Sequence, residues 1–270
     1  NQGLFRVDPR TRQPQRVPLN PEAKPATNDT VMSLHEDRSG RLWVGTPSAL
    51  VQVDPRTGTV RQRYPTDVEV NYLDEAPDGR LWLAGNGGVG QLDEKTGRFR
   101  YFRYRSTGQS WLGAFYVSDL EITRTGEAWI GHGNGGITRL DTRRGRVIWH
   151  RPDPGKALNG ALNDVSVRTI YEATHGTIWV GTNQGGRNRY DSRTQAFRYV
   201  TTHLGLPSNY IASITDDSTG HLWLGTDNGL CRYNAVTGTC RTYGLSDYLP
   251  SSTFQDGCVH RRGKRLLFGT

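Results

Sequence analysis

The stretch from Ile214 to Tyr243 reads ITDDSTGHLWLGTDNGLCRYNAVTGTCRTY, and it contains four strand-like runs separated by turn residues. Gly220, the pair Asn228-Gly229 and the segment from Asn234 to Gly238 mark the three turns. Asn and Gly tolerate the positive φ angles that tight hairpin turns require. The stretch therefore predicts a unit of four short antiparallel strands.

This pattern recurs along the whole chain, with a Trp-containing second run in five copies and a Phe in the sixth. The repeated aromatic positions are Trp43, Trp82, Trp129, Trp179, Trp223 and Phe268. Their spacings are 39, 47, 50, 44 and 45 residues, and a Gly lies three residues before each Trp. Four strands in about 45 residues are typical of a β-propeller blade. We expect the repeated aromatic residues to pack between neighbouring blades, where the small Gly two positions later permits close approach.

The two ends of the chain complete this pattern. Residues 4–8, LFRVD, match the third run of a blade, and residues 268–270, FGT, match the end of the second run. We therefore predict an all-β, six-bladed propeller in one domain, 1–270, with one blade split between the termini. The alternative is a partial fragment of a seven-bladed or double propeller. The predicted blade segments are 27–66, 67–112, 113–160, 161–204, 205–248, and 249–270 together with 1–26.

Composition argues against a membrane-spanning segment and against a nucleic-acid-binding protein. The 270 residues contain 34 Lys and Arg, 26 Asp and Glu and 33 Gly, with a formal net charge of +8. No apolar run approaches the roughly 18 residues that a membrane-spanning helix requires, so this segment predicts no membrane insertion. The basic residues are spread along the chain and form no stripe with interleaved aromatic residues, which argues against nucleic-acid binding.

The repeat resembles that of the two-component regulator propeller family, since Ile214 to Tyr243 follows the family pattern D-x-x-G-x-L-W-x-G-T closely. The departures are Ala84-Gly85 for Gly-Thr, His132 for Thr and Phe268 for Trp. The resemblance implies the periplasmic sensor region of a bacterial signal-transduction receptor with a histidine kinase or GGDEF output. It also implies partner domains of the same receptor, a second propeller and a β-sandwich, and a ligand of the carbohydrate class.

In a propeller, the loops that enter the first run and those that follow the second run share one face, the default binding site. The long loop 106–119 predicts a sugar-stacking platform or, alternatively, an inter-domain or homodimer contact. The residues expected at this channel mouth are Trp111, Phe115, Tyr116, Asp119, His132, Asn134, Asn183, Arg187, Asn209 and Asp227. His132 and Arg187 rank highest because they depart from the repeat. The Asn and Asp residues that enter the first runs are also suited to capping turns through local backbone hydrogen bonds.

Three hypotheses of function follow. The first is a non-catalytic sensor domain that binds a small polar or oligosaccharide ligand. The second is an interaction or dimerisation scaffold, and the third is an enzyme resembling streptogramin lyase. Because acid–base chemistry needs converging groups and only His132 and His203 lie in predicted mouth loops, we expect no enzyme activity. The sequence contains no HExxH, EF-hand or phosphate-loop motif, and it predicts no cofactor and no metal site.

The cysteine pattern leaves two alternatives open. Cys231 and Cys240 flank the hairpin from Asn234 to Gly238, and if Asn234 lies opposite Thr239 their side chains share one face near disulfide range. An oxidising periplasm would permit the bond, and two packed thiols are the alternative. We expect Cys258 to be a buried free thiol.

Overall fold

The computed structural model describes residues 3–20, 30–107, 110–141, 146–150, 160–217, 219–263 and 265–270. The predicted boundary between residues 26 and 27 lies outside these ranges, as does much of the loop before the fourth full repeat. The described chain forms two compact units, residues 1–105 and 106–270. The single domain, the six blades and the split blade therefore stay predictions.

Five four-stranded antiparallel sheets occur among the described residues, each with its strands in chain order, and we name them blades A to E. Blade A contains β3 (Ser33–Glu36), β4 (Leu42–Gly45), β5 (Ala49–Val53) and β6 (Val60–Pro65). Blade B contains β7 (Tyr72–Glu75), β8 (Leu81–Gly85), β9 (Gly88–Asp93) and β10 (Arg98–Arg103). Blade C contains β11 (Val117–Ile122), β12 (Glu127–His132), β13 (Gly136–Asp141) and β14 (Arg146–His150).

Blade D contains β15 (Val167–Glu172), β16 (Ile178–Thr182), β17 (Arg187–Asp191) and β18 (Ala196–Val200). Blade E contains β19 (Ile211–Asp216), β20 (Leu222–Thr226), β21 (Gly229–Tyr233) and β22 (Cys240–Tyr243). Two further sheets have two strands each, β1 (Leu4–Val7) with β2 (Pro14–Val17) and β23 (Val259–Arg262) with β24 (Arg265–Phe268). Two 3-10 helices span Thr202–Leu204 and Leu245–Asp247, and the described residues contain no α-helix. Within the same residues no helix has the length and apolar character to cross a membrane. The prediction of an all-β fold built from four-stranded blades is confirmed.

The repeated Trp residues pack between consecutive blades, as predicted. Trp43 of blade A lies in one buried cluster with Leu81 and Leu83 of blade B. Trp129 of blade C contacts the ring of Tyr190 in blade D edge-on, with the centroids 4.9 Å apart. The packing of these large side chains buries apolar area at the A–B and C–D boundaries, and such burial is the main favourable contribution to folding.

Two of these Trp residues are also anchored by hydrogen bonds. The indole Nε1 of Trp43 donates to Asp37 over 2.8 Å, and that of Trp223 donates to Asp217 over 2.9 Å. Although burial opposes ionisation, hydrogen bonds from Ser39, Trp43 and Arg41 hold the pKa of Asp37 well below its usual range. Each carboxylate therefore ties the turn between the first two strands to the Trp that fills the blade boundary.

The Gly-Thr pair that follows the repeated Trp has two separate roles. A Cβ at Gly45 would lie 2.3 Å from the carbonyl oxygen of Val70, so only Gly permits the chain leading to blade B to pass this close. The Oγ1 of Thr46 donates to the carbonyl of Ala49 over 2.8 Å and closes the turn to the third strand. Thr182 and Thr226 make the equivalent bonds in blades D and E.

A hydrogen bond that we call the clasp joins two consecutive blades at the C-terminal ends of their first strands. It runs from a backbone N–H five residues before the Trp of one blade to a carboxylate seven residues before the Trp of the next. Arg38 donates to Glu75 over 2.8 Å, and Arg124 donates to Glu172 over 2.7 Å. Thr174 donates to Asp216 over 2.9 Å.

Blades B and C lack the clasp residues on the sides where the chain passes from one blade to the next. The donor position of blade B holds Pro77, which has no N–H, and the acceptor position of blade C holds Ile122, which has no carboxylate.

We predict that Glu172→Ala lowers the free energy of unfolding by about 1–3 kcal/mol, because the N–H of Arg124 loses its acceptor. Glu36→Ala is the matched control, since Glu36 holds the same repeat position in blade A and is exposed. Its effect should stay within about 0.5 kcal/mol. Equal effects of the two substitutions in chemical denaturation would contradict the clasp.

We predict that Gly45→Ala costs about 3 kcal/mol of stability, because its Cβ would overlap the carbonyl of Val70. Gly244→Ala provides the comparison, since a Cβ there meets no atom within 4 Å. This second substitution should shift the midpoint of chemical denaturation very little. If Gly45→Ala is tolerated equally well, the close approach of the two segments is incorrect.

Candidate functional site

The second unit contains a polar cluster of four residues, Arg168, Asn183, Tyr210 and Asp256. Three of them lie at or shortly before the starts of the first strands β15, β19 and β23, and Asn183 directly follows β16. Arg168 is the second residue of β15, Tyr210 immediately precedes β19, and Asp256 lies in the turn before β23. Nη1 of Arg168 lies 3.2 Å from Oδ2 of Asp256, and its Nη2 donates to Asn183 over 2.9 Å. The hydroxyl of Tyr210 donates to Oδ1 of Asp256 over 2.6 Å.

The cluster is partly exposed and electrostatically coupled. The side chains of Arg168 and Asp256 are 32% and 38% exposed, so both reach solvent. Burial and the neighbouring Asp256 raise the pKa of Tyr210 to about 12, and the Arg168 guanidinium lies 5.4 Å from the Tyr210 ring centroid. Nε of Arg168 is buried and has no hydrogen-bond partner within the described part of the chain. The arrangement offers both a guanidinium and a carboxylate to a polar ligand.

Asp119, predicted at the mouth, joins the first strands of blades C and D. Its Oδ2 accepts from the backbone N–H of Ile170 over 2.6 Å, and its Oδ1 accepts from that of Leu120 over 2.9 Å. Burial raises the pKa of Asp119 to about 6, and the charge of Asp256 acts in the same direction. Asp119 therefore supports the strands beside the polar cluster with a carboxyl group that titrates near neutral pH.

The predicted aromatic residues of the long loop lie before β11. Phe115 and Tyr116 are 47% and 57% exposed, and their rings meet edge-on with the centroids 5.5 Å apart. Trp111 is only half-buried. These three side chains are accessible, as a stacking platform requires.

The two highest-ranked residues do not face the mouth, which corrects the prediction for them. His132 is fully buried at the position of the repeat Thr, and its Nε2 lies 2.8 Å from Oγ1 of Thr138. It therefore ties the end of the second strand of blade C to Thr138 in the third strand and to the backbone of Tyr116, instead of making the bond that Thr makes elsewhere. Arg187 is 5% exposed, its guanidinium lies 4.5 Å from the Trp179 ring centroid and 4.3 Å from that of Tyr233, and it donates to the Tyr233 hydroxyl.

Arg187 packs between blades D and E, where burial lowers its pKa. The repeat departures at both positions are thus structural. A departure from a repeat signals a changed contact, and the sequence did not reveal whether that contact is with a ligand or with the next blade.

The remaining predicted residues divide by exposure. Asn134 and Asp227 are exposed in the turns after the second strands of blades C and E. Asn209 accepts from the backbone N–H of Thr202 over 2.8 Å, which is the turn-capping role considered above. Only Asn183 belongs to the polar cluster.

Three of the four cluster residues were missed as site residues, namely Arg168, Tyr210 and Asp256. A signal for Arg168 existed, because it lies eleven residues before its repeat Trp. The same position in the other four blades holds uncharged residues, namely Met32, Asn71, Ser118 and Ala212. Asp256 gave no such signal, since its position depends on the turn before β23.

The structure joins Cys231 and Cys240 by a disulfide, with their Cα atoms 5.8 Å apart and Asn234 opposite Thr239. Cys258 is a free thiol and is exposed, which corrects the expectation of burial, because it precedes β23 in a surface turn. The described residues contain no group of three or more His, Cys, Asp or Glu that could hold a metal ion.

Comparison with known structures identifies the class of fold. The structure is similar to virginiamycin B lyase from Staphylococcus aureus, with a TM-score of 0.66, 17% identity, 90% of this chain covered and 78% of that chain. It is similar to the extracellular domain of BT3049 from B. thetaiotaomicron, named as a hybrid two-component system, with a TM-score of 0.57 and 19% identity. That match covers 90% of this chain and 38% of the other.

A third similar structure is PorZ, a surface component of the type-IX secretion system of Porphyromonas gingivalis. Its TM-score is 0.63 at 14% identity, with 89% of this chain covered and 37% of that one. At these identities the similarities establish the fold, and the blades are those of a β-propeller.

Within this class, three segments of the sequence match one family of repeats. Residues 26–48, 161–184 and 205–228 match the family described as two component regulator propeller. These three segments therefore match the repeat of the two-component regulator propeller family, and the resemblance seen in the sequence is confirmed. A comparison with curated protein sequences finds no match.

We predict that Asp119→Asn removes a pH dependence of stability. The folded pKa of about 6 lies above the unfolded value of about 3.9, so the stability that Asp119 contributes is present at low pH and is lost as the pH rises through 6. Between pH 5 and 7.5 the wild-type protein should lose about 1 kcal/mol relative to the variant. Chemical denaturation at the two pH values measures this, and a constant difference between the proteins would contradict it.

Proposed function

We propose that this chain is a non-catalytic, extracytoplasmic sensor domain of a larger bacterial signal-transduction receptor, and that it binds a small polar or oligosaccharide ligand at the polar cluster. The observation that carries the proposal is the convergence of Arg168, Tyr210 and Asp256, from three consecutive segments, in a partly exposed network. The family repeat and the similarity to the extracellular domain of BT3049 support the receptor context.

The network suits a ligand with hydroxyl groups. Asp256 and Asn183 provide oxygens that accept hydrogen bonds, and the Arg168 guanidinium provides donors. The Tyr210 hydroxyl can both donate and accept a hydrogen bond. Hydrogen bonds to charged groups are the stronger kind, so a hydroxylated ligand that displaces water here gains both affinity and orientation. A ligand that bridges the three segments would change their relative positions, which gives a sensor a structural output.

The arrangement of the cluster favours binding over catalysis. Its carboxylate is held by both a guanidinium and a phenol, so Asp256 is poorly suited to act as a base. His132, the histidine that a lyase mechanism would have used at the mouth, is buried and hydrogen-bonded inside blade C. We therefore propose that the domain senses its ligand without transforming it.

The experiment begins with a thermal-shift screen of monosaccharides and polysaccharide digests, followed by calorimetry on any ligand found. We predict that Arg168→Gln weakens binding by about tenfold or more, because a charged hydrogen-bonding group is lost. Arg198→Gln is the control, since Arg198 is an exposed residue on the outer strand of the same blade.

Unchanged affinity in Arg168→Gln would place the ligand elsewhere. A screen without any hit, combined with a concentration-dependent dimer in light scattering, would support the interaction scaffold instead. Turnover of the ligand during calorimetry would contradict the non-catalytic part of the proposal.

A further inference from the structure

Two connections of the second unit, from β18 to β19 and from β22 to β23, begin with the same backbone conformation. Each contains a 3-10 helix of three residues, and a Leu-Pro pair follows soon after it. The backbone N–H of Gly205 donates to the carbonyl of Thr202 over 3.1 Å, and that of Tyr248 donates to the carbonyl of Leu245 over 3.2 Å. Tyr248 therefore holds the position in its loop that Gly205 holds in the other.

The left-handed backbone conformation at this position suits Gly205 and disfavours Tyr248. The φ angle is 95° at Gly205 and 66° at Tyr248. A residue with a Cβ is strained there, because the Cβ approaches the following carbonyl oxygen. The side chain of Tyr248 is 97% exposed, so packing within the described part of the chain does not offset this cost. A strained aromatic residue that faces solvent points to a contact outside the chain.

The turn between β20 and β21 lies between the two connections and is bound to both. The side chain of Asn228 donates to the carbonyl of Pro207 in the first connection over 3.0 Å. The backbone N–H of Gly229 donates to the carbonyl of Ser252 in the second over 2.6 Å. These bonds join three segments into what we call the blade E surface, residues 201–210, 226–229 and 244–257.

The blade E surface exposes further apolar side chains beside the Tyr248 ring. Leu245 is 64% exposed and lies three residues before Tyr248. Leu204 is 61% exposed and lies in the other connection, directly before Gly205. Large apolar side chains on both connections are typical of a surface that a partner covers.

The blade E surface is acidic, although the chain as a whole carries a formal net charge of +8. Its three segments contain no Lys or Arg, and their charged residues are Asp227, Asp247 and Asp256, with His203 as the single histidine. Arg168 of β15 lies 3.2 Å from Asp256 and neutralises it. Asp227 and Asp247 are both exposed and give the surface its net negative charge.

We propose that the blade E surface binds a basic polypeptide segment in which Arg alternates with apolar residues, and that an Arg of the partner stacks on the Tyr248 ring. A guanidinium can lie on an aromatic face while its N–H groups donate to carboxylates. Blade E already contains such a contact, since the Arg241 guanidinium lies 4.8 Å from the Tyr243 ring centroid.

Charge and apolar contact together define the partner. Asp227 and Asp247 attract a basic segment and repel an acidic one. The apolar residues of the segment would cover Leu204 and Leu245, which a free cation could not do. This interaction goes beyond the sensor function proposed for the polar cluster and does not depend on the ligand bound there.

The probes are three synthetic hexapeptides with blocked ends, in which Leu alternates with Arg, Gln or Glu. Calorimetry at low salt should show binding of the Arg peptide, at least tenfold weaker binding of the Gln peptide and no binding of the Glu peptide. Added sodium chloride should weaken binding of the Arg peptide, because exposed charges are screened. Equal binding of the Arg and Gln peptides would overturn the proposal.

Tyr248→Gly removes the ring and relieves the left-handed strain, so it should not lower the midpoint of chemical denaturation. It should weaken binding of the Arg peptide at least tenfold, whereas Tyr248→Phe, which keeps the ring, should bind like the wild-type protein. Val236→Ser is the matched control, since Val236 is 95% exposed in the turn at the other end of β22. It should leave affinity unchanged.

Four other results would overturn the proposal. The Arg peptide does not bind, Tyr248→Gly binds it like the wild-type protein, or Val236→Ser weakens binding as much as Tyr248→Gly. The fourth is a concentration-dependent dimer in light scattering that Tyr248→Gly abolishes, which would make a second copy of this chain the partner. Loss of peptide binding in Arg168→Gln would place the peptide at the polar cluster and would also contradict the proposal. A carbohydrate screen without hits leaves each of these measurements unaffected.

Discussion

The structure depends on one constraint, the close approach of consecutive blades within each compact unit around the repeated Trp. The indole fills the boundary between blades, and the Gly two positions later lets the following segment pass within contact distance of the backbone, as Val70 does at Gly45. Because four strands cannot bury this apolar face alone, each blade is stable only beside its neighbour. The repeat is therefore conserved within the chain for packing, and function is confined to positions that packing leaves free.

Positions that depart from the repeat are of two kinds. His132 and Arg187 replace repeat residues inside the structure, where His132 is hydrogen-bonded to the third strand of its blade and Arg187 fills a blade boundary. Arg168 departs at a partly exposed position, where it takes part in the polar cluster. Burial thus separates the substitutions that maintain the fold from those that leave polar groups accessible to solvent.

The all-β blades, the turns and the packing of the repeated Trp could be predicted from the sequence, because their signals are local and recur at each blade. The polar cluster could not, because Arg168 and Asp256 are 88 residues apart and their contact depends on how successive blades are placed. The clasp was also missed. Its acceptor and donor lie on different blades, and the acidic residue seven positions before the Trp shows no function until the next blade is in place.

The central claim is that a ligand is held where three consecutive first-strand segments meet. Hydrogen–deuterium exchange with the tightest ligand from the screen measures this directly. Binding at the polar cluster should slow exchange in residues 166–170, 209–212 and 254–258 together, while the turns after the first strands stay unchanged. Protection confined to any one of these segments, or found only in the turns after the first strands, would contradict the account.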